Sequence, residues 1–505
     1  MTVRLEDEPV LAAADIQGNS LRGFDTKYLD LVGFKIDDAA KSRAWLRALA
    51  DSISSTQLVH EHRIRRSAQR PKISSRVLVN AAFSKFGLDS LSFDTSEIED
   101  GFLKEPMGSL AGALGDRVAD GQPTDYVLGK AVADTPDVLL LIGSDDDAAL
   151  TAQTASIVSS AAAAGLRKSY ADRGNVLPNQ IEHFGFRDGI SAPGPRGLLA
   201  KNPPTPLTLR WIDPAEPVAD LLGKPGQPLI WPGQFVFGYP TQSATDPRMP
   251  QAPRQAPKWM ENGSLLVFRR LRQDVGLFRK FLSDTSTTLS QSLGRTINGD
   301  QLGALVVGRW KDGTPAILSP APDASISSDE MRVNYFAYGG IPEIRVVRDR
   351  KVQTIPGHPA DVEGLRCPHF AHIRKVNPRD QPTNKGQGEF TQLFQMLRRG
   401  IPFGPLYDEK PEAERGLLFL AYQTSFNSQF RELNTDWMNN PDAPELGNDG
   451  YDLLVGQNGD GAARSAPLHD STANVDVQIT APAQFVVPTG GAFLFCPSIS
   501  FLRAL

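Results

Sequence analysis

The sequence predicts a mixed fold of strands and helices, α+β or α/β, in two or three domains. Two observations support this prediction. The chain has 505 residues, which at ~100–200 residues per domain is enough for more than one core. Segments with the periodicity of strands also alternate with segments of helical periodicity in both halves of the chain. The pattern alone leaves the direction of strand pairing open.

The first half contains three passages from strand to helix. Residues 28–54 change from strand-like alternation to the spacing of one apolar helix face, and residues 76–88 repeat this plan. Residues 137–166 predict a buried strand, an acidic turn and an alanine-rich helix. Acidic residues at a helix start favour the positive end of the helix dipole, which supports that order.

A long irregular connection separates the two halves. Residues 192–260 are dense in Pro and Gly but too rich in apolar residues to be a free linker. We place the domain boundary in its first third, which predicts domains at 1–205 and 206–505. The strand-to-helix pattern then restarts at 263–284.

Charge and composition exclude some function classes. The 53 basic and 58 acidic residues give a net charge of −5, which argues against a nucleic-acid binder. No stretch of about 18 apolar residues occurs, so no membrane span is expected. With only two cysteines and no signal-peptide pattern at the start, we expect a cytoplasmic protein without a disulfide framework.

The stretch HFGFRDGISAPG at 183–194 is the first motif with chemical meaning. It places Asp188 on a short turn between Gly185 and Gly189. Glycines at such spacing let a backbone pass close to a flat or bulky group, and a carboxylate there indicates function.

The second motif is rich in histidine. Cys367, His369 and His372 could in principle form a zinc site, but paired CxxC spacing is missing. A single ligand is the alternative. His372 is followed by Arg374 and Lys375, and one imidazole with nearby cations suits a haem, which needs an axial nitrogen and partners for its propionates.

The third motif is MLRRGIPFGP at 396–405. Arginine inside an apolar strand is costly unless it pairs with an anion. An arginine at a surface edge is the alternative interpretation.

Together the three motifs resemble the dye-decolorizing peroxidases. GFRDG is similar to the GxxDG motif of that family, RCPHFAHIRKVNPR to its stretch with the haem-ligating histidine, and LRRGIPFG to its distal-arginine strand. The order Asp188, His372, Arg398 also fits, and the resemblance covers nearly the whole chain. Its length is closest to the longer fungal and related bacterial members.

The resemblance implies an α+β fold of two ferredoxin-like domains with antiparallel sheets. The first, 1–205, would carry GxxDG, and the second, 206–505, would hold haem b. His372 would be the axial iron ligand, with Asp188 and Arg398 as the catalytic pair. Haem contacts are expected from Gly185, Phe186, Gly189, Arg374, Leu417 and Phe419.

Further expectations concern the surroundings of the haem. His369 would be structural, and Arg399 would face away from Arg398 because side chains alternate along a strand. The axial histidine needs an acceptor for its other nitrogen, with four candidates: Asp436, Asp449, Asp452 and Asp460. The family's tyrosine after the distal arginine is Phe403 here, which cannot form a tyrosyl radical, and Trp437 is the candidate for surface electron transfer.

The implied activity is that of a haem peroxidase. It would reduce hydrogen peroxide to water through a ferryl porphyrin-radical intermediate and oxidise dyes, phenols and other one-electron donors. Because a carboxylate base with a reference pKa of ~3.9 stays ionised in mild acid, we expect an optimum below about pH 5. The alternative is a haem carrier or iron-releasing protein with incidental activity. We expect no nucleic acid and no membrane partner, and leave a homo-oligomer open.

Overall fold

The fold is described from a computed structural model of the chain. The described residues are 4–68, 74–98, 100–445, 447, 449–470, 472 and 474–505. They form one β-barrel surrounded by helices and by long connections of the second half.

The barrel is built from nine strands, two of which form one interrupted strand. Their bounds are β1 (Tyr28–Ile36), β2 (Leu78–Phe83), β3 (Val138–Ser144), β4 (Leu166–Asn175), β5 (Ser264–Gln273), β6 (Leu397–Arg398), β7 (Ile401–Phe403), β8 (Gly416–Gln423) and β9 (Val486–Cys496). Both β6 and β7 pair with β8, and Arg399 N donates to Leu420 O between them.

Each half of the chain contributes a sheet with ferredoxin-like strand order. The first is β4-β1-β3-β2 and the second β9-β5-β8-β7, and every pairing is antiparallel. The sheets join at two narrow seams, where Phe83 of β2 pairs with Phe495 of β9 and Gly174 of β4 pairs with Phe403 of β7. The expected α+β class with antiparallel ferredoxin-like sheets is confirmed.

Helices cover the outside of the barrel. The longer ones are α1 (Ala39–Leu49), α2 (Thr56–Ala68), α3 (Asp147–Ala163), α4 (Val275–Leu293) and α5 (Gly299–Val307). Short α-helices span Gly18–Leu21, Lys85–Ser90, Ala324–Ser327, His372–Lys375 and Ile499–Ala504, and Phe426–Phe430 and Glu432–Met438 are π-helical. An aspartate side chain caps the first turn of α1, α3 and α4, which explains where these helices begin.

Side chains fill the barrel interior. Alternate residues of the strands point inward and form one buried apolar cluster, which includes Leu31, Leu141, Phe268, Leu420, Tyr422 and Leu494. The opposite faces of the same strands pack against the helices in a second cluster, with Phe34, Leu140, Val267 and Phe493. Because the interior is filled, a large ligand has to bind outside the barrel.

The connections between β4 and β9 carry several two-stranded sheets. The pairs are Gly194–Pro195 with Leu229–Ile230, Leu198–Lys201 with Pro204–Pro206, Thr241–Gln242 with Pro250–Gln251, Ile344–Arg348 with Lys351–Ile355, and Arg464–Asp470 with Val475–Ala481. The first half adds Val118–Ala119 with Gln122–Pro123. Within the described ranges, no helix is both long and apolar enough to span a membrane. The boundary at 205 falls between β4 and β5 and stays a prediction.

Candidate functional site

The turn that carries Asp188 is held by its own backbone. Ile181 and Arg187 form an antiparallel bridge, and Asp188 N donates to Gln180 O at 3.0 Å. Gly185 and Gly189 have φ of 95° and 74°, a region that side chains strain to adopt. A Cβ at Gly189 would meet nothing within 4 Å, and Asp188 is exposed. The turn therefore presents its carboxylate to open space.

Arg398 lies beside this turn. Its Nη2 donates to the carbonyl of Ser191, three residues after Asp188, and its side chain is exposed. Arg399 points elsewhere, because its guanidinium donates to the carbonyls of Asn19 and Leu21. The structure thus brings Asp188 and Arg398 to one place and separates the two arginines as strand alternation requires.

His372 opens the short helix His372–Lys375. Its Nδ1 lies 2.7 Å from Oδ2 of Asp452, a fully buried residue whose Oδ1 accepts from the backbone N–H groups of Leu454 and Val455. A carboxylate can only accept, so Nδ1 carries the proton and Nε2 keeps a lone pair for a metal. Among the four aspartates considered, the structure selects Asp452.

One segment connects the two sides of the site. Next to His372, the side chain of Ile373 lies 2.4 Å from where a Cβ of Gly308 would be. On the other side, Lys311 O accepts from Arg187 N, and a Cβ of Gly313 would lie 2.6 Å from Ile190. Residues 308–313 therefore run from the helix of His372 to the turn of Asp188.

A cavity of about 610 Å³ opens at this turn, lined by Asn179, Gln180, Ile181, Arg187, Lys311 and Asp312.

The role expected for Arg374 is wrong. Its side chain is 0% exposed, and its N–H groups are all used, with Glu445 at 2.6 and 2.9 Å and with the carbonyls of Asp361, Val362 and Cys367. No donor is left for a haem propionate. Arg374 instead ties the His372 helix to Glu445.

Two other arginines fit the anionic edge of a haem better, although the sequence pattern did not indicate them. Arg309 and Arg379 both donate to Oδ1 of Asn334, at 3.1 and 2.7 Å, and both stack on Phe336. Burial lowers the pKa of Arg309 to about 9, and the charge of Arg379 adds to this effect. In the described part of the chain neither forms an ion pair with a carboxylate. Arg309 is buried and Arg379 is partly buried, and two neighbouring cations of this kind suit a dianion.

The two residues expected to line the distal pocket lie on the same face of the sheet as Arg398. Arg398 pairs with Ala421 across the strands, and side chains two and four residues along β8 share that face, namely Phe419 and Leu417. Both are partly buried, whereas Leu418 and Leu420 point into the barrel core. Phe186 is 4% exposed and packs on Phe278, so its observed contacts are with the apolar core beneath the turn.

The surface role expected for Trp437 is wrong as well. Its side chain is 0% exposed, it packs edge-on against Phe394 at 5.0 Å, and its indole N–H donates to Asn384. A bulky dye cannot contact it.

The zinc alternative finds no support. The Cys367 Sγ lies 4.0 Å from the hydroxyl of Tyr338, whereas His369 contacts Glu445 and Asp449, as the structural role predicted for it requires. Residues of the described ranges include no group of three His, Cys, Asp or Glu that could hold a metal ion. A haem, with one imidazole ligand, fits the residues present.

Comparisons with known proteins identify relatives of the whole chain. Residues 15–178 match the family model described as the DyP dimeric α+β barrel domain. A dye-decolorizing peroxidase of Exidia glandulosa is 32% identical over 97% of this chain and 86% of its own length. A solved ancestral D-type dye-decolorizing peroxidase has a TM-score of 0.77 and 28% identity, covering 98% of this chain and 99% of that chain. A dye-decolorizing peroxidase in complex with 2,6-dimethoxyphenol has a TM-score of 0.73 and 27% identity, with the same coverage.

Proposed function

Because the chain belongs to the dye-decolorizing peroxidases, we propose that His372 on one side, and Asp188 with Arg398 on the other, form its haem site. The protein is a haem b-dependent peroxidase that reduces hydrogen peroxide and oxidises dyes and phenols. The observation that supports the residue assignment best is the His372–Asp452 hydrogen bond, since it leaves Nε2 free to bind a metal.

Haem iron, when bound, supplies the position at which the O–O bond of peroxide is cleaved and holds the oxidising equivalents. Asp188 would carry out the proton transfer. Its exposed carboxylate accepts the proton of one peroxide oxygen and returns it to the other, so that the second oxygen leaves as water. Two donor molecules, each giving up one electron, and two protons from solvent complete the reduction of peroxide to two molecules of water.

Arg398 stabilises the negative charge that develops while the O–O bond breaks. A guanidinium fixed in the site does this without reorganisation, because the carbonyl of Ser191 already orients it. On the opposite side, Asp452 keeps the ring of His372 in one tautomer and orientation. Arg309 and Arg379 would hold the propionates.

The test is a stopped-flow measurement with stoichiometric peroxide. We expect the reaction of Asp188→Asn to be about 10²–10⁴-fold slower than wild type and that of Arg398→Leu about 10²–10³-fold slower. Arg399→Leu, in the neighbouring arginine that faces elsewhere, serves as the control and should react within about threefold of wild type. Wild-type rates for Asp188→Asn would refute the assignment.

An aspartate in the role of the base, in place of a histidine, implies an acid optimum. We expect dye turnover to peak below about pH 5. A profile that peaks at neutral pH with every donor would contradict this.

We propose the following electron donors, binding partners and cellular location for the protein. Small phenols and dyes are the donors that the family relationship supports. We also propose that the protein binds neither nucleic acid nor membranes and that it resides in the cytoplasm. Both cysteines are buried and unpaired, which fits a reducing compartment. Fractionation of cells and chromatography with light scattering would test location and oligomeric state.

A further inference from the structure

We propose that Glu182 is a positioning residue for peroxide cleavage, because its carboxylate fixes the shape of the turn that presents Asp188. This inference rests on the role proposed for Asp188. Oε2 of Glu182 accepts from Phe184 N at 2.9 Å, and Oε1 accepts from Phe186 N at 3.0 Å. The backbone of Glu182 adds two bonds to the same turn, from Gly185 N to its carbonyl and from its own N–H to Phe186 O. One residue therefore closes the turn through four hydrogen bonds.

The same carboxylate joins the turn to the barrel. Nε2 of Gln273, the last residue of β5, donates to Oε2 of Glu182 at 2.5 Å. The backbone of Gln273 is fixed in turn, since its N–H donates to Arg415 O and it pairs with Val486 of β9. Glu182 thus anchors the turn of Asp188 to a rigid strand of the barrel.

Among the residues that the structure describes, the partners of this carboxylate are neutral donors. Across the described ranges, Glu182 makes no ion pair, and its pKa rises to about 7, mainly through burial and to a smaller extent through the charge of Asp188. The group therefore acts as a set of acceptors rather than as a counterion. An amide of the same shape can take over part of this role, because only one of its two terminal atoms accepts hydrogen bonds. Oε1 of Gln273 has no partner, so a flipped Gln273 amide could accept from a glutamine at position 182.

Loss of the carboxylate leaves other supports of the turn in place. The ring of Phe184 packs at 4.5 Å from that of Phe278, and Arg187 N still donates to Lys311 O. We therefore expect Glu182→Leu to fold while its turn becomes mobile.

A matched control exists elsewhere in the chain. Asp100 is another carboxylate that accepts from backbone N–H groups, those of Phe102 and Phe426, and burial also raises its pKa. It holds a segment outside the haem site. Asp100→Leu therefore reports the general cost of removing a carboxylate of this kind.

The experiment compares Glu182→Leu, Glu182→Gln and Asp100→Leu as haem-loaded proteins with equal Soret absorbance. Hydrogen exchange of the amides of Phe184 and Phe186 is measured beside the rate constants for peroxide and for a phenolic donor. In Glu182→Leu we expect exchange at both amides to accelerate at least about tenfold. The peroxide rate constant should fall about 10–100-fold, and the donor rate constant should stay within about twofold. Glu182→Gln keeps one acceptor oxygen but places its NH2 group against the N–H of Phe184 or of Phe186, so we expect it to be intermediate, with faster exchange at one of the two amides and a peroxide rate constant between those of wild type and Glu182→Leu.

For Asp100→Leu, faster exchange at Phe102 and Phe426 with an unchanged peroxide rate constant is the expected result. The inference is overturned if Glu182→Leu keeps wild-type exchange or a wild-type peroxide rate constant, or if Glu182→Gln is as impaired as Glu182→Leu. Should Glu182→Leu not fold, Gln273→Leu takes its place and must slow the peroxide step. Failure of the proposed function would appear differently, as a wild-type rate for Asp188→Asn.

Discussion

Single residues decide the chemistry of this site, and the His372–Asp452 pair is the clearest case. Asp452 is fully buried and uses both carboxylate oxygens, one for the imidazole and one for two backbone N–H groups. An anionic acceptor makes an imidazole a stronger donor to its metal. As the proposed iron ligand, His372 would therefore donate electron density that depends on a residue 80 positions later in the chain.

Replacing Asp452 by asparagine should weaken that donation without removing the hydrogen bond. We expect the reduction potential of the haem iron to rise and haem affinity to fall about 10–100-fold. Spectroelectrochemistry and haem transfer to an apoprotein acceptor measure the two quantities. Asp460→Asn is the control, since Asp460 accepts from Ala462 N and not from His372; equal shifts in both variants would contradict the assignment.

Glu182 should also give the stability of the protein a measurable dependence on pH. Burial raises its pKa from 4.5 to about 7, so the folded state binds this proton more tightly than the unfolded state does. The resulting stabilisation is complete below pH 4.5 and is lost as the pH rises to about 7.

We therefore expect the free energy of unfolding of the wild type, relative to that of Glu182→Gln, to decrease by about 1–3 kcal/mol from pH 4.5 to 7.5. Urea titrations at four pH values would measure it. A difference that stays constant or increases with pH is the opposing result.

The sequence was sufficient for the residues whose role depends on local spacing. Gly185 and Gly189 lie on the short turn that the motif indicated, and both have positive φ values. The sequence was insufficient wherever the role of a residue depends on partners that lie far away along the chain. Arg374 finds Glu445 seventy-one residues away, and the burial of Trp437 depends on Phe394. No local pattern contains either fact.

At the scale of elements, the two seams of the barrel are its narrowest contacts. At one of them, Gly174 of β4 faces Phe403 of β7. A Cβ on Gly174 would lie 2.3 Å from Cγ2 of Ile401 and 3.1 Å from the carbonyl of Pro402. Isoleucine is stiff at χ1, so it cannot easily move aside.

We expect Gly174→Ala to lower the free energy of unfolding by about 1–3 kcal/mol through this overlap. Gly101→Ala is the matched control, because a Cβ there would meet nothing within 4 Å. Urea unfolding of both variants measures the difference, and equal stability of the two would show that the seam tolerates a methyl group.

Periodicity was sufficient to predict strands and helices such as β1 with α1 and β3 with α3, which lie within 28–54 and 137–166. It could not predict the seams, because β2 pairs with β9 across some 400 residues and single-chain patterns contain no register. The two helical segments that follow β8 are π-helical, and side-chain periodicity hardly distinguishes their hydrogen-bond spacing from that of an α-helix.

For the whole molecule, closure of the barrel couples the two halves. Each half has its own sheet, but β2 and β4 of the first half both pair with strands of the second. Unfolding either half would remove pairing from the other, so both are expected to unfold together.

Equilibrium unfolding should therefore show one transition rather than two. Far-ultraviolet circular dichroism, tryptophan fluorescence and Soret absorbance are expected to give coincident midpoints. Separate midpoints for secondary structure and haem release would mean that the domains at 1–205 and 206–505 unfold independently.

Closure of the barrel also has a consequence during synthesis of the chain. β1 to β4 are synthesised before β9, which pairs with β2 and begins only at Val486. Until then the nascent first half displays two rows of unsatisfied amide and carbonyl groups, along β2 and along β4, to any extended peptide nearby. Stalled or truncated translation is thus the moment at which this chain is most exposed to misassociation in the cell.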